Sequence, residues 1–342
     1  MLHPPPKPTG NPSTAWGLLG ASRFALAWIV LSGHMLWFAT PAWAKFFDDL
    51  SGKAAVIGFL LVSGFSIASS LERNESGFYR RRLLRIYPLY FFAILFAWWL
   101  EWVFHGVMLL PGRELHALGT TTAIGNLLLL QTFVVKPIQF DGPVWSLSIE
   151  MLFYLLAPWF ARLDRRFLLG LIAISALSFA APKHTDWGIA YLVFSKFNAL
   201  SYLWCWLLGF LLWRNRSRLV LATVTLGIPL VLFAEATPER FAVVTYILSA
   251  ALLLTAHKIT VPNRITAIGN YLGDLSYPFY LFHLPSFILA YGLFGFMAPQ
   301  SLVLVASAIS ITSFYVVDRW LKRSYFKPLL FSQFPIAVPQ AD

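Results

Sequence analysis

Eleven apolar runs follow one another along this chain, and they leave room for almost no other kind of fold. They fall at about 16–38, 54–71, 86–104, 120–135, 145–161, 167–182, 197–213, 219–235, 241–256, 275–297 and 301–318. Several reach the roughly 20 residues a helix needs to cross a bilayer. Helices are the only open structure that lipid tolerates, because nothing in hydrocarbon satisfies an exposed backbone N–H or C=O. Of the 342 residues, 58% are hydrophobic and 12% charged, against about 25% charged in a soluble domain. The chain therefore reads as an all-α integral membrane protein of one domain, with no room for a large soluble one. A lone cysteine, Cys205, excludes an internal disulfide and a cysteine-based zinc cluster.

Charge arbitrates the number of crossings. If all eleven runs cross and the N-terminus is cytoplasmic, the basic clusters at 162–166 and 214–218 and the basic C-terminus fall outside. If 120–135 dips in and returns, every later loop changes side, and 18 of the 26 Lys and Arg lie inside against seven outside. Basic residues favour cytoplasmic loops. The expectation is about ten transmembrane helices, both termini cytoplasmic, and a short non-crossing segment near 120–144. Such backbone is tolerated only where it is buried in protein or lines a cavity. Residues 1–15, rich in Pro with Gly and Asn, read as a disordered tail. Residues 16–327 form the membrane domain, and 328–342 a second cytoplasmic tail. Arg23 and His34 in the first run argue against a cleaved leader. The net charge of +11 sits in short loops and makes no continuous face for nucleic acid.

Four constellations could carry chemistry. Arg23 and His34 are eleven residues apart in the first helix, so they share a face about 16 Å apart along the axis. Ionisable groups inside a bilayer are costly and face other helices or a wet cavity. Snorkelling of Arg23 and simple packing of His34 would explain the same pattern. Arg82 and Arg85, with Arg81, open the third helix as i, i+3 neighbours. Free N–H groups and the dipole there already favour anions, and paired guanidiniums suit phosphate. They would serve equally as a positive-inside anchor. Glu150, in Trp145-Ser146-Leu-Ser-Ile-Glu150, is a carboxyl in an apolar helix. It could orient an imidazole or bind a sugar hydroxyl, or sit at the interface with no partner. His283 lies in Leu275-Ser-Tyr277-Pro-Phe-Tyr-Leu-Phe-His283 beside Pro278 and Pro285. Asp318, at the inner end of the last helix, is expected to pair with an Arg. Nothing suggests a metal.

With these residues in hand, the chain resembles the membrane acyltransferase 3 family of bacterial O-acyltransferases, from about Ser22 to the last helix. The matching motifs are Arg23 with His34, Leu61-Val-Ser-Gly-Phe65, Arg82-x-x-Arg85 running into Ile86-Tyr-Pro88, Trp145-Ser-Leu-x-x-Glu150 with Phe153-Tyr154 and Pro158, and Leu275-Ser-Tyr with His283. Asp318 departs from the Glu expected there. The resemblance implies a stand-alone transferase without an esterase-like domain, in the bacterial cytoplasmic (inner) membrane. It would move an acyl group, often acetyl, from cytosolic acyl-CoA as co-substrate to a hydroxyl of an extracytoplasmic or lipid-linked glycan. Arg82, Arg85 and Arg81 would hold the cofactor phosphates. His34 would be the general base, or carry the acyl group covalently, with Glu150 and Arg23 supporting it. Trp145, Ser146, Tyr277 and His283 would contact substrate. A transporter or flippase of a glycan or acyl donor would use the same buried polar groups.

Overall fold

The computed structural model describes residues 13–111, 113–180, 198–215, 227, 239–256, 259, 261–295 and 298–326. Helix α1 (Ser13–Met35) leads into a short α2 (Ala42–Asp48), then α3 (Gly52–Arg73) and α4 (Phe78–Val103). A hairpin, β1 (Val107–Leu110) and β2 (Arg113–His116), precedes α5 (Thr120–Leu127) and a 3-10 turn at Gln139–Val144. The rest is α6 (Trp145–Arg162), α7 (Arg165–Ala180), α8 (Asn198–Arg214), α9 (Ala242–Thr255), α10 (Asn263–Phe294) and α11 (Pro299–Ser313), which runs on as wider π turns to Phe326. Among the described residues, five helical segments are long and apolar enough to cross a membrane: 16–35, 52–73, 78–103, 139–162 and 299–325.

Helix α3 is the centre. It is enclosed by protein on nearly all sides, and it packs against α1, α6, α8 and α9. The most extensive pairing is α1 with α10. Those two backbones touch. A side chain at Gly20 would strike the carbonyl of Gly269, and one at Gly269 would strike that of Gly17. Only glycine fits there, and the contact fixes the register of α1 on α10.

Residues 104–144 cap the end of the bundle where α1 and α4 finish. Helix α5 has eight residues, about 12 Å at 1.5 Å per residue, too short to cross a core of about 30 Å. Asn126, fully buried, knits the cap: its Nδ2 donates to Thr122 O at 2.8 Å and Lys136 O at 2.9 Å, and its Oδ1 accepts from Ile138 N at 3.1 Å. Gln131 Nε2 donates to Val144 O at 2.9 Å, and the Gln139 side chain accepts from His116 N at 2.8 Å.

Helix α4 begins at Phe78 and carries Arg81, Arg82 and Arg85 in its first turns, as expected. Other elements differ from the sequence expectation. Helix α10 starts twelve residues before the apolar run, because its first third packs on α1 through small residues such as Gly269 and Gly273 rather than through an apolar stripe. The hairpin and α2 were not expected. Asp318 pairs with Lys322 at 2.6 Å, one turn on, while Arg319 goes to Asp274 at 3.1 Å. The apolar run at 219–235 and the tail at 328–342 lie essentially outside the described residues, as do residues 1–12 of the first tail.

Candidate active site

Three serines on α3 each hold one charged side chain of the interior: Glu150, Arg23 and Arg82. Ser63, Ser66 and Ser70 follow helical spacing and lie along one face. Ser63 Oγ donates to Glu150 Oε1 at 2.6 Å, and Tyr154 OH, one turn below on α6, donates to the same oxygen. Ser66 Oγ accepts from Arg23 Nη2 at 2.9 Å. Ser70 Oγ accepts from Arg82 Nη2 at 2.7 Å. Arg23, Arg82, Arg85 and Glu150 line one narrow cavity of about 90 Å³ with Ser146, Tyr277 and Tyr280. Three guanidiniums against one carboxylate make it a site for an anion.

A second cavity, about 290 Å³, adjoins the first through Arg85, Gly273 and Tyr277 and is also lined by Arg81, Asp274, Asp318 and Lys322. Tyr277 stands at the junction, its OH donating to Ile86 O at 3.0 Å. Arg81 clamps its own turn, donating to the carbonyls of Asn74 and Ser76.

At the opposite end, His283 and His34 meet. His283 Nε2 lies 3.0 Å from His34 Nδ1. His34 Nδ1 is also 3.0 Å from Val30 O, and His283 Nδ1 is 3.0 Å from Phe279 O. His283 is 0% exposed, whereas His34 is half-buried. Close by, with Trp37 in its wall, lies an open cleft of about 1180 Å³, also lined by Arg113, Lys136, Gln139 and Trp145 among others. Trp37 meets the His34 ring edge-on, with centroids 4.8 Å apart, and the Arg113 guanidinium lies 3.8 Å from the Trp37 ring centre.

Ser146 and Tyr280, both in the wall of the narrow cavity, lead from it toward the histidines. Ser146 is one turn from Glu150 on α6, and its Oγ is 2.8 Å from Tyr280 OH. Tyr280 is one turn before His283 on α10, with ring centroids 6.3 Å apart.

The structure thus gathers Arg23, Arg82, Arg85, Glu150, Ser146 and Tyr277 around the narrow cavity. His34 and His283 meet above it, Trp145 reaches the open cleft, and Arg81 lines only the adjoining cavity. Glu150 does not orient His34. Its partners are Ser63 and Tyr154, and the group beside His34 is His283. Sequence reasoning missed Ser63, Ser66, Tyr154 and Tyr280 as site residues. The i, i+4 spacing of Glu150 and Tyr154 and the serine stripe on an apolar helix were the available signals.

A family model described as an acyltransferase domain matches residues 19–319. The acyltransferase MdmB of Streptomyces mycarofaciens is 37% identical over 123 residues, covering 34% of this chain and 30% of that protein, so the chain matches under a third of that relative's length. A putative acetyltransferase, ORF330 of Acidianus two-tailed virus, is 23% identical over 243 residues, 66% of this chain and 68% of the relative. Nodulation protein 10 of Rhizobium leguminosarum bv. viciae is 23% identical over 282 residues, 70% of this chain and 72% of the relative. No solved structure matches. The family match covers every residue named here around the three cavities except Lys322, and both histidines, and the chain belongs to the acyltransferase 3 family.

Proposed function

We propose that this protein is a membrane O-acyltransferase. It takes an acyl group, acetyl in the simplest case, from acyl-CoA in the cytosol and passes it to a hydroxyl of an extracytoplasmic or lipid-linked glycan. The observation that carries this reading is the line of polar side chains that starts in the wall of the arginine cavity with Glu150, Ser146 and Tyr280 and continues one turn along α10 to His283 and His34. A donor and an acceptor held on opposite faces need such a passage. In this reading about ten helices cross the inner membrane of a bacterium, with both termini in the cytosol and the 104–144 cap outside.

Arg82 and Arg85 hold the CoA phosphates, Arg81 lines the adjoining cavity, and the thioester arm runs up the narrow cavity toward His34. His34 takes the proton from the acceptor hydroxyl as its oxygen attacks the thioester carbonyl. The C–O bond forms, the C–S bond breaks, and CoA leaves as a thiolate that recovers the proton. Arg23 adds positive potential along the donor's path. Glu150 fixes the Ser63–Tyr154 wall of the cavity. Trp37 and Trp145 offer faces on which a sugar ring can rest.

The test is transfer of label from radioactive acetyl-CoA to extracted envelope glycan by purified protein. His34→Ala is expected to lower the rate by roughly 10²–10⁴-fold, the contribution of a positioned general base. A His34→Ala protein that inserts normally and keeps full activity overturns the reading.

A further inference from the structure

We propose that His283 is the positioning residue of the His34 base, and that it makes Nε2 the basic nitrogen. This rests on the reading of His34 given above. Hydrogen-bond bookkeeping carries it. A carbonyl oxygen only accepts, so a ring nitrogen aimed at one must bear a proton. His283 Nδ1 faces Phe279 O at 3.0 Å, so it is an N–H. A neutral imidazole has one N–H, and His283 Nε2 is therefore a bare acceptor. His34 Nδ1 faces Val30 O at 3.0 Å, so it too is an N–H. That proton is shared between Val30 O and His283 Nε2, both 3.0 Å away. His34 Nε2 is left with a free lone pair.

Val30 O cannot hold the ring alone. It already accepts the helical N–H of residue 34, and a bond within one helix leaves the ring free to tilt about its own turn. His283 comes from α10, fully buried, with both ring nitrogens engaged. It supplies a rigid second acceptor from a different element. When His34 takes a proton at Nε2, Nδ1–H still donates to His283, so the new cation forms against an oriented dipole. This is the logic of a base held by a third group, with a neutral imidazole as that group. It also removes His283 from the residues that could touch substrate.

The test compares His283→Leu, which cannot accept, with His283→Asn and His283→Gln, whose amide oxygens can. For His283→Leu, kcat is expected to fall about 10²-fold, the order of loss for a misplaced catalytic group, with KM for acetyl-CoA within twofold of wild type. The amide variants are expected to recover at least a tenth of the wild-type kcat. Wild-type kcat in His283→Leu overturns the proposal, as does equal loss in all three variants. Nitrogen-15 spectra of histidine-labelled wild type give a readout independent of folding of any variant and of activity. They are expected to show His34 and His283 both as Nδ1–H forms, and an Nε2–H form at His34 overturns the proposal. Full activity in His34→Ala would remove the base itself, while the nitrogen spectra would still decide the tautomer.

Discussion

Arg82 meets Ser70 through Nη2, but its Nε is buried with no hydrogen-bond partner among the described residues. A buried donor without a partner is costly, and a phosphate oxygen would satisfy it. Hydrogen bonds to charged groups are worth about 1.5–3 kcal/mol, equivalent to roughly ten- to hundredfold in affinity. Arg82→Ala is therefore expected to raise KM for acetyl-CoA by about that factor while kcat changes less. A fall in kcat at constant KM would show that Arg82 acts on the chemistry rather than on the donor.

Asp48 ends α2 and lies against Gly33, the neighbour of His34. Burial first, then Asp49 and Glu239, push its carboxyl above the ordinary carboxylate range. A raised carboxyl binds its proton more tightly in the folded protein than in the unfolded chain. Its ionised form therefore works against the fold at neutral pH, and the penalty fades as pH falls toward about 4, the unfolded value. Asp48→Asn is expected to raise the melting temperature slightly at pH 7 and by less at pH 4.5. A larger gain at the lower pH would contradict this sign.

At this scale the charged members of the site were legible because charges in apolar runs are expensive and stand out: Arg23, Arg82, Arg85 and Glu150 all line the cavity. The pairing of His34 with His283 was not legible. It depends on how α1 lies on α10, 249 positions away in sequence. The serine stripe was overlooked because a helix can satisfy a hydroxyl on its own i−4 carbonyl, as Ser66 does with Val62, so serine in an apolar helix carries little signal.

Among the elements, α1 and α10 bring the two histidines together. Their backbones meet at Gly20 and Gly269, about four turns along α1 from His34. A methyl at Gly269 has no space to enter, and overpacking of this kind costs about 1–3 kcal/mol. Gly269→Ala is expected to lower the melting temperature and reduce kcat together, since pushing α10 off α1 lengthens the His34–His283 contact. A variant that loses stability but keeps its kcat would show that the cap end holds the two histidines independently of the glycine contact. Apolar runs located the long helices because lipid and protein interiors both demand them. The hairpin escaped because each strand has four residues, too few for a period to register. The extra turns of α10 escaped because they pack on α1 through glycines, which leave no apolar run to mark them.

The arrangement of the whole molecule makes one more commitment. The arginines of the narrow cavity lie near the start of α4, and the 1180 Å³ cleft is built by the cap beyond its end, so in the proposed reading the reaction that joins them is two-sided. In the proposed topology Lys136 is outside and the loop between α3 and α4 inside. Cys205, the single cysteine, is buried, and a buried thiol in apolar surroundings reacts poorly. Single introduced cysteines can therefore be read almost without background. Lys136→Cys, on the rim of the cleft, is expected to react with a membrane-impermeant maleimide on intact cells. Asn74→Cys, in the exposed turn before α4, is expected to react only in inverted vesicles or after lysis. Exchange of the two patterns would invert the bundle and put the arginines outside, where no cytosolic donor reaches them. Labelling of both from one face would mean that the thread from Arg82 to His34 does not cross the membrane, and transfer would then be confined to one side.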